Sequence, residues 1–190
     1  LKECVHQTEV TIFVGVPKLF TLLHDGIEKK LSAHVMQSVM LRLLLPLCAF
    51  LRRTTRINCA KFALRRLHQT FGPTIRLLAS GGAKLSPDIW RDFYRWGFTV
   101  LQGYGLTETS PVVTFTTPDN TLFDTIGKPL PGIDVRIINP NQQGIGEIAI
   151  RGDNVFSGYY KRAELHKEIF KNGFFLSGDL GFRDTKGHIF

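Results

Sequence analysis

The chain has 190 residues, of which 43% are hydrophobic and 21% charged, an ordinary composition for a globular protein with one buried core and room for a smaller lobe. Its three cysteines, Cys4, Cys48 and Cys59, are odd in number and in no metal-ligand spacing, so they indicate free, buried thiols in a reducing compartment. The sequence shows no secretory signal, and we expect a cytoplasmic protein.

The net charge of +8 is unevenly distributed along the chain. No Asp or Glu occurs between Glu28 and Asp88, and this interval holds eleven of the 24 Lys and Arg residues. Such a one-sided basic segment predicts an anionic neighbour: lipid head groups, phosphates or an acidic surface. A solvated helical face is the other interpretation, and the sequence favours neither. A nucleic acid is not expected, because the segment lacks interleaved aromatic residues and any known nucleic-acid-binding signature.

The first predicted elements are a strand and a helix. Residues 11–15 form a short apolar run that stops before Pro17, which is typical of a buried strand. Residues 18–31 place leucine and isoleucine side chains at helical spacing, which predicts an amphipathic helix.

A strongly apolar segment follows at residues 34–51. Its most apolar part is shorter than the about 20 uncharged, apolar residues that are needed to span a bilayer, and Arg42 and Pro46 interrupt it. We therefore expect no transmembrane helix. The segment predicts either a kinked core helix or a helix in a membrane interface, flanked by Arg52 and Arg53.

The segment at residues 54–70 has apolar side chains at helical spacing, and Gly72 and Pro73 follow it. This pattern predicts a second amphipathic helix that ends at the glycine. Together the two segments form a basic helical insert at about 32–72.

A β-α-β unit comes next. Residues 74–79 predict a strand, and Ser86 and Pro87 predict the N-cap and first position of a helix. Gly97 is expected to end that helix. The apolar run at 98–101 then predicts a second strand, parallel to the first.

The stretch at residues 102–111 (QGYGLTETSP) reads as a tight loop between this strand and another at 112–116. Glycines on either side of Tyr104 allow positive φ or a close approach to a ligand, and they leave room for the ring against a planar group. Thr107 offers a hydroxyl and Glu108 a carboxylate able to hold Mg²⁺. These groups suit a nucleotide, whereas the alternative is a glycine turn with polar residues on its tip.

The last part of the chain has short runs separated by turns. Residues 133–137 and 145–150 alternate and predict antiparallel strands. Residues 162–170 predict a short helix, Asn172 and Gly173 predict a hairpin turn, and residues 184–187 predict another turn.

These elements predict an α/β fold: a parallel β-α-β part with a helical insert, followed by a smaller antiparallel β-rich lobe. We place the first domain at residues 1–118 and the second at 119–190, where the texture of the sequence changes.

Four motifs occur in order along the chain, and their combination is specific. They lie at 80–83 (SGGA), 102–111, 146–161 (GEIAIRG followed by GYYK) and 174–190 (FFLSGDLG followed by GHIF). With them the chain resembles the adenylate-forming superfamily, which includes acyl-CoA synthetases, aryl-CoA ligases, firefly luciferase and peptide-synthetase adenylation domains. The long helical insert is most similar to that of long-chain fatty acid–CoA ligases. The resemblance covers essentially the whole chain, which we interpret as a fragment from the middle of the large N-terminal domain.

The resemblance implies a reaction with ATP, Mg²⁺, a fatty acid and coenzyme A. The carboxylate attacks the α-phosphate of ATP, pyrophosphate leaves, and a thiol then takes the acyl group. It implies that Tyr104 stacks on adenine and that Asp179 accepts hydrogen bonds from the ribose hydroxyls. The implied catalytic residues are Thr107, which bonds phosphate oxygen, and Glu108, which binds Mg²⁺. The other implied nucleotide-site residues are Gly81, Gly82, Ala83, Gln102, Gly103 and Gly105.

Several alternatives remain open at this point. An aryl-CoA ligase, an acyl-carrier-protein ligase or an amino-acid adenylation domain would carry the same motifs. A non-catalytic lipid- or membrane-binding module is an alternative of another class, and peripheral contact with an anionic membrane through residues 42–66 fits either. The phosphate loop, the ribose-binding arginine and the C-terminal lysine of the family are not found in these residues, so we expect the isolated piece to be inactive.

Overall fold

The computed structural model of the chain describes residues 8–32, 35–120 and 122–190, with the side chains of 35–39 and 42 left out. Cys4 lies outside the described residues. The chain divides into two units, of which the first holds the described residues up to Leu101 together with Pro118–Phe123. The second holds Gln102–Thr117 and Asp124–Phe190. The predicted domain boundary between residues 118 and 119 stays a prediction.

The first unit is an α/β structure with a parallel strand pair. Its elements are β1 (Ile12–Gly15), α1 (Pro17–Ser32), α2 (Val35–Thr55), α3 (Cys59–Ala63), α4 (Arg65–Phe71), β2 (Leu77–Ser80) and α5 (Pro87–Arg95). Strand β1 runs parallel to β2, with Ile12 opposite Leu77. On the other side of β2, the Leu78 N–H donates to the Thr99 carbonyl, directly before β3 (Val100–Tyr104). The predicted α/β class is confirmed.

Helix α2 continues through Pro46 and buries one face in the first unit. Leu45 and Cys48 on that face belong to the core, so the predicted buried thiol is confirmed for Cys48, while Cys59 is half-buried. Among the helices in the described ranges, none is both long and apolar enough to cross a membrane.

Arg52, near the end of α2, faces inward. Its Nη1 donates to the Tyr94 carbonyl at 3.0 Å and to the Phe98 carbonyl at 2.9 Å, and its Nη2 donates to Thr99 Oγ1 at 2.7 Å. The guanidinium also lies over the Tyr94 ring, 4.2 Å from its centre. Burial lowers the pKa of Arg52 from its usual value. The expectation that Arg52 faces a membrane is therefore wrong, because this side chain joins α2 to the chain after α5.

The single helix predicted at residues 54–70 is wrong in extent. Its first two residues belong to α2, and Arg56 then leaves the helix with a φ of 63°. The Asn58 side chain accepts a hydrogen bond from the Lys61 N–H and thereby starts α3. α4 follows and ends, as predicted, at Gly72. Apolar spacing alone did not reveal this break, because the residues around it keep the helical period.

Helix α5 begins at Pro87 and is followed by Gly97 with a φ of 88°, as predicted. Ser86 occupies the N-cap position, as predicted, and its side chain makes no capping hydrogen bond. The Trp90 indole N–H donates to the Val100 carbonyl at 2.9 Å and fixes the helix beside the start of β3. The core of this unit includes Phe20, Leu78, Leu85, Trp90 and Phe93.

The second unit is built from antiparallel strands. Its strands are the end of β3, β4 (Thr114–Phe115), β5 (Lys128–Pro129), β6 (Asp134–Ile138), β7 (Gly146–Arg151), β8 (Phe170–Lys171) and β9 (Phe174–Gly181). The last four form a sheet in the order β6-β7-β9-β8, and its apolar face packs around Val135, Ile148 and Ile150. The predicted antiparallel lobe is confirmed.

Two local predictions in this unit have clear outcomes. Asn172 and Gly173 connect β8 and β9 with φ values of 50° and 76°, the geometry of a two-residue hairpin turn, as predicted. The short helix predicted at 162–170 is present as a 3₁₀ turn, Ala163–Leu165, followed by α6 (His166–Ile169).

Candidate functional site

Tyr104 and Asp179 meet in the second unit. Tyr104 ends β3, where it pairs with Thr114 of β4, and Asp179 lies in β9. The Tyr104 hydroxyl donates to Asp179 Oδ2 at 2.7 Å. Burial of the ring, together with the Asp179 carboxylate, raises the pKa of Tyr104 above its usual value, so the phenol stays protonated and donates.

Asp179 is held by its own strand and remains exposed. Gly178 precedes it with a φ of 76°, which turns the backbone outward at this point. The Asp179 N–H donates to Ser177 Oγ, and that hydroxyl in turn donates to the Ile148 carbonyl of β7 at 2.7 Å. The carboxylate is thus fixed at the surface with acceptor sites beyond the one that Tyr104 uses.

The glycines beside Tyr104 act differently from the prediction. Neither Gly103 nor Gly105 has a positive φ. A Cβ on Gly103 would lie 2.6 Å from the Phe115 ring, and one on Gly105 would overlap the Pro111 carbonyl. Glycine is therefore required at both positions because the backbone packs against the protein itself. Strand β3 also continues to Tyr104, so the predicted loop starts later than expected.

A 3₁₀ turn at Thr107–Thr109 carries the predicted metal ligand. Thr109 is fully buried, and its Oγ1 accepts from the Leu106 N–H at 2.9 Å and donates to the Leu106 carbonyl at 3.0 Å. With Thr109 directed inward, Thr107 lies exposed on the turn and Glu108 is half-buried beside it.

Tyr159 orients the Glu108 carboxylate. Its hydroxyl donates to Glu108 Oε1 at 2.8 Å, and this hydrogen bond raises the pKa of Tyr159. The Phe156 N–H donates to the Glu108 carbonyl at 2.8 Å, so the same segment holds both the backbone and the side chain. Tyr159 lies in the GYYK motif, and that motif was the only sequence signal pointing to it.

Asn154 is a second residue that the sequence analysis missed. Its Nδ2 donates to the Thr109 carbonyl at 2.7 Å and to the Val112 carbonyl at 3.3 Å. These bonds tie the loop after β7 to the turn that carries Glu108. Nothing in the sequence marks this asparagine.

Gln102 has a structural role in β3. Its side chain is buried, and its Nε2 donates to the Thr125 carbonyl at 3.1 Å. Its N–H donates to Thr116 Oγ1 and its carbonyl accepts from the Thr116 N–H. These bonds fix the strand that presents Tyr104, and a contact of Gln102 with nucleotide stays a prediction.

The remaining predicted residues, Gly81, Gly82 and Ala83, follow β2 in the first unit. Gly82 has a φ of 82° and Gly81 donates its N–H to the Gly15 carbonyl at 3.3 Å, so the chain turns sharply here. Their assignment to a nucleotide site stays a prediction.

The residues of the second unit fit a magnesium–phosphate group better than an all-protein metal cage. Within the described part of the chain, no group of three His, Cys, Asp or Glu side chains could hold a metal ion. Mg²⁺ keeps several waters and is commonly held by one or two carboxylates together with substrate phosphates. The oriented carboxylate of Glu108 beside the exposed Thr107 suits that mode.

Comparison with known proteins gives a consistent result. The sequence profile described as AMP-binding enzyme matches residues 1–160. Long chain acyl-CoA synthetase 1 of Arabidopsis thaliana is 35% identical over 95% of this chain and 30% of its own length. The long-chain-fatty-acid–CoA ligase FadD15 of Mycobacterium bovis is 36% identical over 68% of this chain and 21% of its length.

Solved structures show the same fold. o-Succinylbenzoate CoA synthetase (MenE) from Bacillus subtilis, in complex with its acyl-adenylate intermediate, matches with a TM-score of 0.69 at 22% identity, over 99% of this chain and 32% of that one. ATP-bound MatB from Rhodopseudomonas palustris matches with a TM-score of 0.65 at 28% identity, over 95% and 30%. The chain thus spans between about a fifth and a third of the length of these proteins.

Proposed function

Since the chain belongs to the family of AMP-binding enzymes, we propose that it is part of an ATP-dependent ligase that activates a long-chain fatty acid as its acyl-adenylate and transfers it to coenzyme A. The similarity to long chain acyl-CoA synthetases over 95% of the chain supports the choice of substrate. The activity is that of the whole protein, of which this chain supplies the nucleotide-binding strands.

One observation carries the proposal. Tyr104 and Asp179 are 75 residues apart in sequence, yet the hydroxyl of one donates to the carboxylate of the other. The aromatic side chain that we propose for adenine thus hydrogen-bonds to the exposed carboxylate that we propose for the ribose. A carboxylate has two oxygens and suits the two adjacent hydroxyls of ribose.

The reaction needs positioning and charge stabilisation more than covalent chemistry from the protein. Tyr104 and Asp179 orient the nucleoside, and the Thr107 hydroxyl donates to a phosphate oxygen. Glu108, oriented by Tyr159, would hold Mg²⁺, which when bound neutralises negative charge on the phosphates. Gly81, Gly82 and Ala83 leave space for the adenine and the acyl chain, and Gln102, Gly103 and Gly105 fix the strand beside the α-phosphate.

A different acid substrate is the nearest alternative. The 2-succinylbenzoate–CoA ligase of Oceanobacillus iheyensis is 33% identical over 73% of this chain, so an aryl or other acyl substrate fits the same strands. A panel of fatty, aryl and amino acids in an ATP–pyrophosphate exchange assay separates these cases. Exchange that depends on an aryl acid, and not on a long-chain fatty acid, would overturn the proposed substrate.

The test of the nucleotide site is Glu108→Gln in the full-length parent. The amide keeps the size of the side chain and can still accept from Tyr159, so the fold should hold. It loses the charge that a magnesium ligand supplies, and we expect roughly a hundredfold or greater loss of carboxylate-dependent ATP–pyrophosphate exchange. Glu168→Gln, an exposed carboxylate of the same unit, is the matched control. Near-wild-type exchange in Glu108→Gln would remove the metal role.

We also propose that the parent makes peripheral contact with the cytoplasmic face of a membrane through the basic segment 42–66. The absence of acidic residues between Glu28 and Asp88 supports an anionic surface as the neighbour. Binding to anionic vesicles should weaken steeply as salt is added.

A further inference from the structure

We propose that helix α2 lies in the interface of an anionic lipid bilayer, with its outward apolar face inserted among the acyl chains and the cations that follow it over the head groups. This inference rests on the peripheral membrane contact proposed above and specifies how that contact is made.

The outward face of α2 is apolar over three turns. Met40, Leu43, Leu47 and Phe50 follow one another at the spacing that places side chains on one helical face, and each is between 54% and 76% exposed. Pro46 is exposed on the same side, and the exposed Arg53 follows the stripe near the end of the helix. An exposed apolar stripe of this length is typical of a surface that binds a partner or a membrane.

The opposite face of α2 is already occupied. Leu45 and Cys48 pack into the core of the first unit, and Leu41 and Leu44 lie partly buried against it. The helix is therefore apolar on two sides, a pattern found where a second apolar medium covers the helix. The core of the first unit covers only one of these two apolar sides.

The charged residues around the apolar stripe indicate which medium covers the outward face of α2. Arg53, Arg56, Lys61, Arg65 and Arg66 are all exposed. Arg56 lies 3.6 Å from Asp119 in an exposed pair, and among the described residues the other four cations have no ion pair. Two more large apolar side chains, Ile57 and Phe62, are exposed among them, Phe62 at 82%. A bilayer with anionic lipids offers an apolar layer directly beneath a negative surface, which matches this combination of groups.

The first experiment tests the apolar face in the full-length parent. Leu43→Ser combined with Leu47→Ser removes apolar surface without changing charge, and both positions are exposed, so folding should be unaffected. We expect partition into vesicles of phosphatidylcholine and phosphatidylserine to fall on the order of tenfold or more. Leu22→Ser, an exposed leucine on α1, is the matched control and should bind as wild type.

The second experiment separates charge from insertion. Arg53→Gln, Lys61→Gln and Arg66→Gln together should weaken binding to anionic vesicles by about fivefold per residue. The same variant should keep whatever affinity the parent has for pure phosphatidylcholine vesicles. A loss of affinity for neutral vesicles equal to that for anionic ones would overturn the role of these cations.

The third experiment measures depth directly. Phe50→Trp places a fluorescent reporter on the stripe. The natural Trp90 and Trp96 are only 2% and 6% exposed, so they are shielded from lipid. Lipids brominated on their acyl chains should quench the new tryptophan. Tyr160→Trp, at an exposed position of the second unit, should stay unquenched.

Each outcome decides the matter independently of the ligase proposal, because ATP–pyrophosphate exchange with a water-soluble carboxylic acid is measured on the same variants and should not change. Vesicle binding that survives the double serine variant, or a tryptophan at position 50 that is not quenched, would show contact through another surface. No binding by the parent to any vesicle would show that the stripe is covered by protein. Any of these three results would overturn the proposed insertion of α2 into the bilayer.

Discussion

The hydrogen bond from Tyr159 to Glu108 is a positioning contact that can be tested without touching the proposed ligand. Tyr159→Phe removes one oxygen and leaves the Glu108 charge in place. We expect roughly a tenfold rise in the Mg²⁺ concentration needed for half-maximal exchange, because partners that orient a ligand carboxylate tune its affinity by about that much. Tyr160→Phe, at the neighbouring exposed ring, is the matched control. The same shift in both variants would deny Tyr159 this role.

The pKa values of two histidines in the first unit should be shifted in opposite directions from the usual value. His68 is buried against Phe98, with Nε2 2.9 Å from the Trp96 carbonyl, and burial lowers its pKa from the usual value. Burial also lowers the pKa of His24, but hydrogen bonds to Asp92 and Asp25 outweigh it and raise the pKa overall. Titration of both imidazoles by nuclear magnetic resonance should therefore place His68 below and His24 above about 6.5.

The consequences for stability follow from which state binds more protons. The pKa of His68 is lower in the folded chain, so its contribution is present above about pH 6.5 and is lost as pH falls from there through the lower folded pKa. His24 holds its proton more tightly when folded, so its contribution is present below about pH 6.5 and is lost as pH rises through the folded pKa. In urea unfolding, His68→Phe should lose the fall in stability towards low pH that His68 causes, and it should keep the fall towards high pH that His24 causes. A pH dependence identical to wild type would contradict the assignment.

At single residues, the sequence identified candidate side chains but not their contacts. The motifs pointed to Tyr104 and Asp179 separately, but a hydrogen bond across 75 residues depends on how the fold brings the end of β3 close to β9, a strand of another sheet. For Arg52, the predicted exposure was wrong. A charge pattern predicts exposure on average, and it does not show that the Arg52 guanidinium donates to backbone carbonyls inside the first unit. Gly103 and Gly105 lie against the Phe115 ring and the Pro111 carbonyl, contacts that the sequence did not show, and their place in a nucleotide site stays a prediction.

The pairing of β3 with β4 depends on the missing side chain of Gly103. A Cβ there would lie 2.6 Å from the Phe115 ring, so Gly103→Ala must displace this ring or the paired strands. We expect a loss of about 1–3 kcal/mol in the free energy of unfolding, and Phe115→Val in the same chain should restore part of it. Gly26→Ala in α1 is the control, because no atom lies within 4 Å of its added Cβ and alanine favours a helix. An equal loss in both variants would point away from the strand contact.

Elements with strong local signals could be predicted from the sequence. The β8–β9 hairpin follows from Asn172 and Gly173 at the two positions that need positive φ, and the end of α5 follows from Gly97. The break between α2 and α3 could not be predicted, because it depends on Arg56 in a left-handed conformation and on the cap made by Asn58. Neither residue interrupts the apolar period that the prediction used.

For the whole molecule, the order of four motifs was enough to predict the family and the α/β class, because each motif fixes a strand or a turn and the order fixes their connection. The division of the chain at residues 118 and 119 stays a prediction. Strand β3 begins in the first unit and ends in the second. The chain spans about 30% of the length of its Arabidopsis relative, and the activity is to be measured on the full-length parent.

Arg52 has a further consequence for the parent. It fastens the end of α2 to Phe98 and Thr99, directly before the strand that ends at Tyr104. If the parent binds both a membrane and ATP as proposed, any coupling between the two ligands is reciprocal: the factor by which vesicles change the affinity for ATP equals the factor by which ATP changes the affinity for vesicles. Both affinities can be measured on the same parent with a non-hydrolysable ATP analogue. Arg52→Lys keeps the charge but not the planar set of hydrogen bonds, so it should bring the factor towards one. An unchanged factor would mean that the coupling runs elsewhere.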